Sequence, residues 1–251
     1  MEKMIQDLID KLEKTIIDSK LPKKIGVAFS GGVDSSLLAK MCTDQGYQVT
    51  LLTIGFESSH DIMFSKKVNE FLKLPHHIFE INKQIFDTIS SKIINNIKND
   101  NLSWNENGIA FYYVANLAKD LKIDTVVTAN GIDELFCGYN AYREAIKEGE
   151  KKVMELMESK LENETKMMKA INEICSEFNV KIVQPFLNDD FIQFAKKIPV
   201  QYKIQNEDDL IRKHIIRDVA KVKGVPEISV IQRKKALQYG TLIHKALIKS
   251  K

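Results

Sequence analysis

Residues 25–36 read IGVAFSGGVDSS. Ile25, Val27 and Ala28 suit a buried strand, and Leu37, Leu38 and Met41 recur at the spacing of an apolar helix face. Between them Ser30, Gly31 and Gly32 are small enough to let a ligand approach the backbone. The pattern predicts a strand, a tight turn and a helix. The first N–H groups of such a helix have no intrahelical partner and lie at the positive end of its dipole, so the turn is an anion site. It is not the G-x-x-x-x-G-K-S/T loop, because no lysine follows the glycines. A plain strand–turn–helix junction is the competing reading.

Outward from this stretch, apolar spacing predicts a leading helix over 2–19, stopped near Leu21-Pro22. Strands are expected at 25–30, 49–56, 76–81 and 125–130, with a fifth at 181–186; helices are expected near 33–45, 60–73, 83–98 and 107–121. This alternation predicts an α/β fold: a doubly wound, parallel, five-stranded sheet with helices on both faces. Ligands of such sheets sit beyond the carboxyl ends of the strands. After Asn130 the character changes. Residues 132–178 read as helical throughout, broken near Gly149; 188–224 read as two helices, and the tail from Lys235 as one more. The chain is therefore expected to be one unit over 1–251, with a nucleotide-binding core over about 20–150 and a helical carboxyl-terminal lobe over about 151–251.

Bulk composition narrows the partners. The 251 residues are 44% apolar, enough for a substantial core. A net charge of +3, with Lys interspersed among Glu and Asp, makes a nucleic-acid partner unexpected. The amphipathic, acid-bearing amino terminus does not read as a secretory signal, and no apolar stretch is long enough for a membrane span. A cytoplasmic location is expected. Cys42, Cys137 and Cys175 fit neither a disulfide framework nor a C-x-x-C metal site. His60, His76, His77, His214 and His244 show no metal-ligand spacing.

The fourth strand runs TVVTAN into GIDELFCGYNAYRE, which puts Asp133 and Glu134 just past a strand end. In a doubly wound sheet that end faces the same crevice as the SGG turn. Asp34 and Asp133 could together hold Mg²⁺ on ATP phosphates, the oxygen ligation that ion prefers. Equally, Asp133 and Glu134 could simply favour a helix start.

The SGG-x-DS string resembles the pyrophosphate loop of the N-type ATP pyrophosphatases. ANGIDELFCGY is similar to the G-E-G-S/A-D-E-L-F-G-G-Y segment of the asparagine synthetase carboxyl-terminal domain. LLTIGFESSHD, LKLPHHIFEI, QPFLNDDFIQFAKKIPVQYKI, KHIIRDVA and RKKALQYG resemble further segments of that domain in the same order, so the likeness runs from about Ile25 to Gly240. It implies a HUP-like fold, ATP and Mg²⁺, and an AMP-forming ligase that adenylates a carboxylate and forms an amide. Carried across by position, Ser30, Gly31, Gly32, Asp34 and Ser35 would cradle pyrophosphate, Asp34 and Asp133 would hold Mg²⁺, and Ala28, Ile54, Thr128 and Ala129 would line the nucleotide. Lys235 would stabilise charge on the phosphates and the adenylate, with a surface lysine in a basic run as the alternative. Trp104 and Phe111-Tyr112-Tyr113 fall where the acceptor pocket is expected, or in helix core packing. The implied partners are a small-molecule carboxylate and ammonia or an amine, with a separate glutaminase subunit as one nitrogen source and a homo-oligomer as one assembly.

Two departures qualify the resemblance. The chain begins Met1-Glu2-Lys3, without the cysteine that opens the glutaminase half of the glutamine-dependent enzymes, so nitrogen is expected from outside. Asn130 stands where the motif carries its first glutamate, and an amide cannot serve as a base near neutral pH. Catalysis is thus expected to involve Lys235, Asp133 and the altered position Asn130, with an acceptor other than aspartate left open. Cys137 replaces a glycine of L-F-G-G-Y; a small buried thiol is one reading, and a sulfur relay to an adenylated tRNA base the other. A nucleotide-binding subunit without turnover of its own is the third.

Overall fold

The computed structural model describes residues 1–233 and 235–249. Five parallel strands, β1 (Lys24–Ala28), β2 (Gln48–Gly55), β3 (His76–Glu80), β4 (Thr125–Val127) and β5 (Lys181–Val183), form one sheet in the order β3-β2-β1-β4-β5. The chain leaves β1 for β2 and β3 on one side, then crosses back to β4 and β5 on the other. The strand order therefore reverses between β1 and β4, where a crevice opens at the carboxyl ends.

Alternation along the strands makes two cores. Ile25, Val27, Val49 and Leu51 join one, while Leu52, Ile54, Val126 and Ile182 join the other. The first is covered by α1 (Glu2–Asp18) and α2 (Val33–Asp44). α3 (His60–Leu72) packs on β2; α4 (Lys83–Ile97) and α5 (Leu102–Asp120) cover the second core. Both faces are clothed, as the sequence pattern predicts.

Beyond β4 come the short α6 (Ile132–Leu135), α7 (Ala141–Lys147) and the long α8 (Glu150–Cys175). The amino-terminal half of α8 places Val153, Met157 and Leu161 in the first core, and its second half places Met168, Ile171 and Cys175 in the other. α9 (Asp189–Lys196), α10 (His214–Val222), α11 (Glu227–Ile231), α12 (Leu237–Gly240) and α13 (Ile243–Lys249) complete the chain.

Several expected boundaries need correction: β5 ends at Val183 rather than 186, α5 starts at Leu102 rather than near 107, and the tail from Lys235 forms two short helices rather than one. The helical reading of 132–178 breaks not only at Gly149 but over 136–140, where Cys137 has φ +61°. Gly138 follows because a Cβ there would stand 1.9 Å from Asp133 Oδ1. The fourth strand stops at Val127 rather than Asn130, although Thr128 N–H still donates to Val183 O at 3.0 Å. No helix of the described residues is long and apolar enough to cross a membrane.

Candidate active site

The turn after β1 is stapled from within and from α11. Ser30 N–H donates to Ser35 Oγ at 3.4 Å and Ser35 Oγ–H to Gly32 O at 3.2 Å. The hydroxyls of Ser36 and Ser229 both donate to Gly31 O, at 3.1 and 2.8 Å. Gly31 has φ +81°, and a Cβ on it would lie 3.2 Å from the Ser65 backbone. Gly31 thus lets the turn press against α3, and the cavity wall is formed by Ser30, Gly32, Asp34 and Ser35 without it. Gly32 caps α2 with no side chain, so the first-turn amides are left to an anion.

A cavity of about 620 Å³ opens between this turn and the end of β4, large enough for a nucleotide-sized ligand. Ala28, Ile54, Thr128, Ala129, Asn130, Asp133 and Lys235 all line it, together with the turn residues just named. The two carboxylates that follow β4 divide their work. Glu134 is buried and structural: its Oε2 accepts from Gly131 N–H at 3.0 Å and its Oε1 from Tyr139 Oη–H at 2.5 Å. Asp133 faces Asp34 across the crevice.

Between those two aspartates lies Lys213, to which the sequence pattern assigns no role. Its Nζ donates to Asp34 Oδ2 at 2.6 Å and to Asp133 Oδ1 at 2.9 Å, with the side chain 2% exposed. Asp34 Oδ1 is buried with no hydrogen-bond partner among the described residues. Two carboxylates from separate strand ends converging on one cation, one oxygen unspent, fit a divalent ion carried on phosphates.

Arg217 ties this arrangement together. It donates from Nε to Arg212 O at 2.8 Å, from Nη2 to Ile211 O at 2.9 Å and to Gln232 O at 3.1 Å, and from Nη1 to Val230 O. It thereby couples the loop bearing Lys213 to the segment bearing Lys235. That segment is docked by Phe56 N–H on Thr241 O at 3.0 Å and by His244 Nδ1 against buried Glu106 at 2.5 Å. Lys235 itself is exposed on the cavity wall; Lys234 lies outside the described residues.

At the far end, Thr128 Oγ1–H donates to Asn130 Oδ1, and Asn130 Nδ2–H to Glu164 Oε1 at 2.6 Å. Glu164 is 5% exposed and comes from α8, where its turn-to-turn neighbours Met157, Leu161, Met168 and Ile171 are all core residues. An acid on the apolar stripe of a helix was the available signal for it. Of the aromatic cluster only Phe111 lines the cavity; Tyr113 is core, and Trp104 Nε1–H donates to Asn163 Oδ1 at 2.9 Å. Cys137 is fully buried, and burial pushes its thiol up to about 12.

Parallel strands, a reversal of strand order and an uncapped small-residue turn at that reversal define an α/β protein of the pyrophosphate-loop type. The asparagine synthase family model matches residues 21–177, and the chain belongs to that family. A glutamine-hydrolysing asparagine synthetase homologue of Methanocaldococcus jannaschii is 26% identical over 96% of this chain and 51% of its own. Asparagine synthetase 1 of Arabidopsis thaliana is 27% identical over 76% of this chain and 35% of its own. The chain thus spans about half the first relative and about a third of the second. Among solved structures, the NMN synthetase from Francisella tularensis aligns over 95% of this chain and 76% of its own, at a TM-score of 0.49 and 14% identity.

Proposed function

We propose that this chain is the ATP-using part of an amide-forming ligase. A carboxylate oxygen of a small acid attacks the α-phosphorus of ATP, the bond to the β-phosphate breaks, and pyrophosphate leaves. Ammonia or an amine then attacks the acyl carbon, and AMP departs with the bonding electrons. The observation that carries this reading is the convergence of Asp34 and Asp133, from two different strand ends, on one cation beside the uncapped start of α2.

The side chains around the cavity divide the chemistry. The α2 amides, Ser30 and Ser35 bind the pyrophosphate portion, and the strand ends at Ala28, Ile54, Thr128 and Ala129 hold the nucleoside in line. Asp34 and Asp133 would hold Mg²⁺, which when bound supplies charge neutralisation on the phosphates. Lys235, an exposed flexible cation on the cavity wall, follows charge as it moves from pyrophosphate to the adenylate. Glu164 takes the proton from the attacking amine. Asn130 orients that carboxylate by its 2.6 Å hydrogen bond, so the amide at position 130 does not leave the cavity without a base. Nitrogen reaches the domain as ammonia or an amine, from solution or from a glutaminase, in the cytoplasm. Sulfur transfer is disfavoured by the burial and raised pKa of Cys137, since a relay requires an accessible thiolate.

The test is to incubate the protein with Mg²⁺-ATP, pooled carboxylic acids and ammonium, and to separate the nucleotides. AMP with pyrophosphate, lost in Asp34→Ala, is the expected result. ADP as the product would overturn the proposal, and ATP left intact with every acid would overturn the ligase reading.

A further inference from the structure

Lys213 occupies the place that the function above reserves for a metal. Its ammonium bridges the two aspartates at 2.6 and 2.9 Å, inside a wall that leaves the side chain 2% exposed. The backbone that aims it is unusual: Arg212 and Lys213 both lie in the left-handed region, at φ +49° and +55°, where neither side chain is at ease. The surroundings hold them there. The Asp209 carboxylate accepts from the N–H groups of Gln205, Ile211 and Arg212 at 2.9–3.0 Å. Lys213 N–H donates to Lys203 O at 2.7 Å, and Arg217 grips the carbonyls of Ile211 and Arg212. A loop held this firmly in a costly conformation delivers one side chain to one place.

We propose that the Lys213 ammonium is the resident cation of the Asp34–Asp133 seat, and that a divalent metal takes the seat only together with a polyphosphate onto which this ammonium moves. The inference rests on the reading that these carboxylates hold the metal. Two cations cannot share oxygens this close without strong repulsion. A metal arriving alone would displace a buried ammonium from both of its carboxylate partners. A metal arriving on a polyphosphate brings the replacement partner, because phosphate oxygens seated at the start of α2 offer the ammonium new acceptors beside the old ones. Among the described residues no group of three or more His, Cys, Asp or Glu side chains is gathered to hold an ion. Mg²⁺ usually completes its coordination with phosphate oxygens and water. The coupling is reciprocal: the metal also tightens the polyphosphate.

The test is a titration of the full chain with Mn²⁺, reading free Mn²⁺ by electron paramagnetic resonance, first without nucleotide and then with ATP. Wild-type protein is expected to show no nucleotide-independent binding tighter than about 1 mM, while Lys213→Met gains a site roughly tenfold tighter or better. Lys213→Arg, which keeps a cation at the same place, is expected to stay closed. Lys213→Gln serves if the methionine variant fails to melt cooperatively. Wild-type binding of Mn²⁺ alone at the affinity of the uncharged variants overturns the inference but leaves the metal seat standing. A folded uncharged variant that gains no Mn²⁺ also overturns it. Absence of a protein-bound Mn²⁺ signal in wild type even with ATP overturns the metal reading itself.

Discussion

At one end of the cavity the working groups are backbone amides, short hydroxyls and two aspartates, all within a few residues of the strand ends at Ala28 and Val127. At the other, the polar groups come from α5 and α8 and meet only through packing: Ser103 and Asn107 from one helix, Asn163 and Glu164 from the other. The first end is built mainly from local chain geometry, and in the function proposed above it recognises a shared chemical unit, phosphate. The second depends on which side chains two helices bring to their contact, so it can change its acceptor without disturbing the first. Asn130 stands on the border. It is local to β4 by sequence but belongs to the second end through its bond to Glu164.

The largest effect is expected at the first end. Asp34→Asn should lower AMP and pyrophosphate formation about a thousandfold, through loss of a carboxylate that would hold Mg²⁺ on the phosphates. It should also lower the melting temperature, because the buried Lys213 ammonium keeps only one charged partner. A loss of only a few-fold would mean that the two aspartates serve Lys213 alone, and the contrast between the ends would fail.

Glu164→Gln separates the ends. The amide keeps the hydrogen-bonding shape but cannot accept a proton, so amide formation should fall about a hundredfold or more. Exchange of labelled pyrophosphate into ATP, which reports the adenylating step, should stay within about threefold. Equal losses in both would make Glu164 a structural residue. Asn130→Glu sharpens the same point in the other direction. It sets a second carboxylate against Glu164 where a 2.6 Å hydrogen bond now stands. Like charges at that distance disfavour ionisation of both, so amide formation should fall rather than rise, with stability reduced by roughly 1–3 kcal/mol.

The same division explains what is legible in the sequence. The SGG turn is legible because strand, glycines and helix are contiguous, and a turn's function follows from its backbone. Asp133 is legible because it follows a strand end, and topology alone brings strand ends together. Gly31 belongs to the expected turn but is not among the residues lining the cavity. Its conformational freedom serves the contact with Ser65, which no local pattern announces. The turn at 136–140 reads as helix because Cys137, a residue that rarely adopts φ +61°, hides the glycine-like conformation. Lys213, although it opens the segment KHIIRDVA quoted for the resemblance, and Glu164 both go without an assigned role in the sequence, for different reasons. Lys213 sits in an irregular loop whose aim depends on Asp209 and Arg217. Glu164 carries a usable signal, an acid flanked at helical spacing by Leu161, Met168 and Ile171, but the charged context ESKLENETKMMK masks it.

The smallest expected effect concerns the support beneath the first end. Thr53 Oγ1–H donates to Phe29 O at 2.6 Å, which leaves its lone pairs to accept from His76 Nε2 at 2.8 Å. The His76 ring also meets the Phe29 ring edge-on at 5.8 Å. Burial, followed by His77 and Lys66, pushes His76 down to about 4 from its ordinary 6.5. Between those values the unfolded chain binds a proton that the folded chain refuses, so stability contributed by the neutral ring falls as pH drops from 6.5 towards 4. The loss is less than about 3.5 kcal/mol, at about 1.4 kcal/mol per pKa unit, because the half-buried ring is partly screened by solvent. His76→Gln keeps an N–H donor for Thr53 but does not titrate. Chemical denaturation at about pH 7 and about pH 4.5 should therefore show a smaller acid-induced drop in the variant than in the wild type. An equal drop would mean that His76 takes up its proton without disturbing Thr53, and that the carbonyl of Phe29 is held at the mouth of the anion turn by the threonine alone.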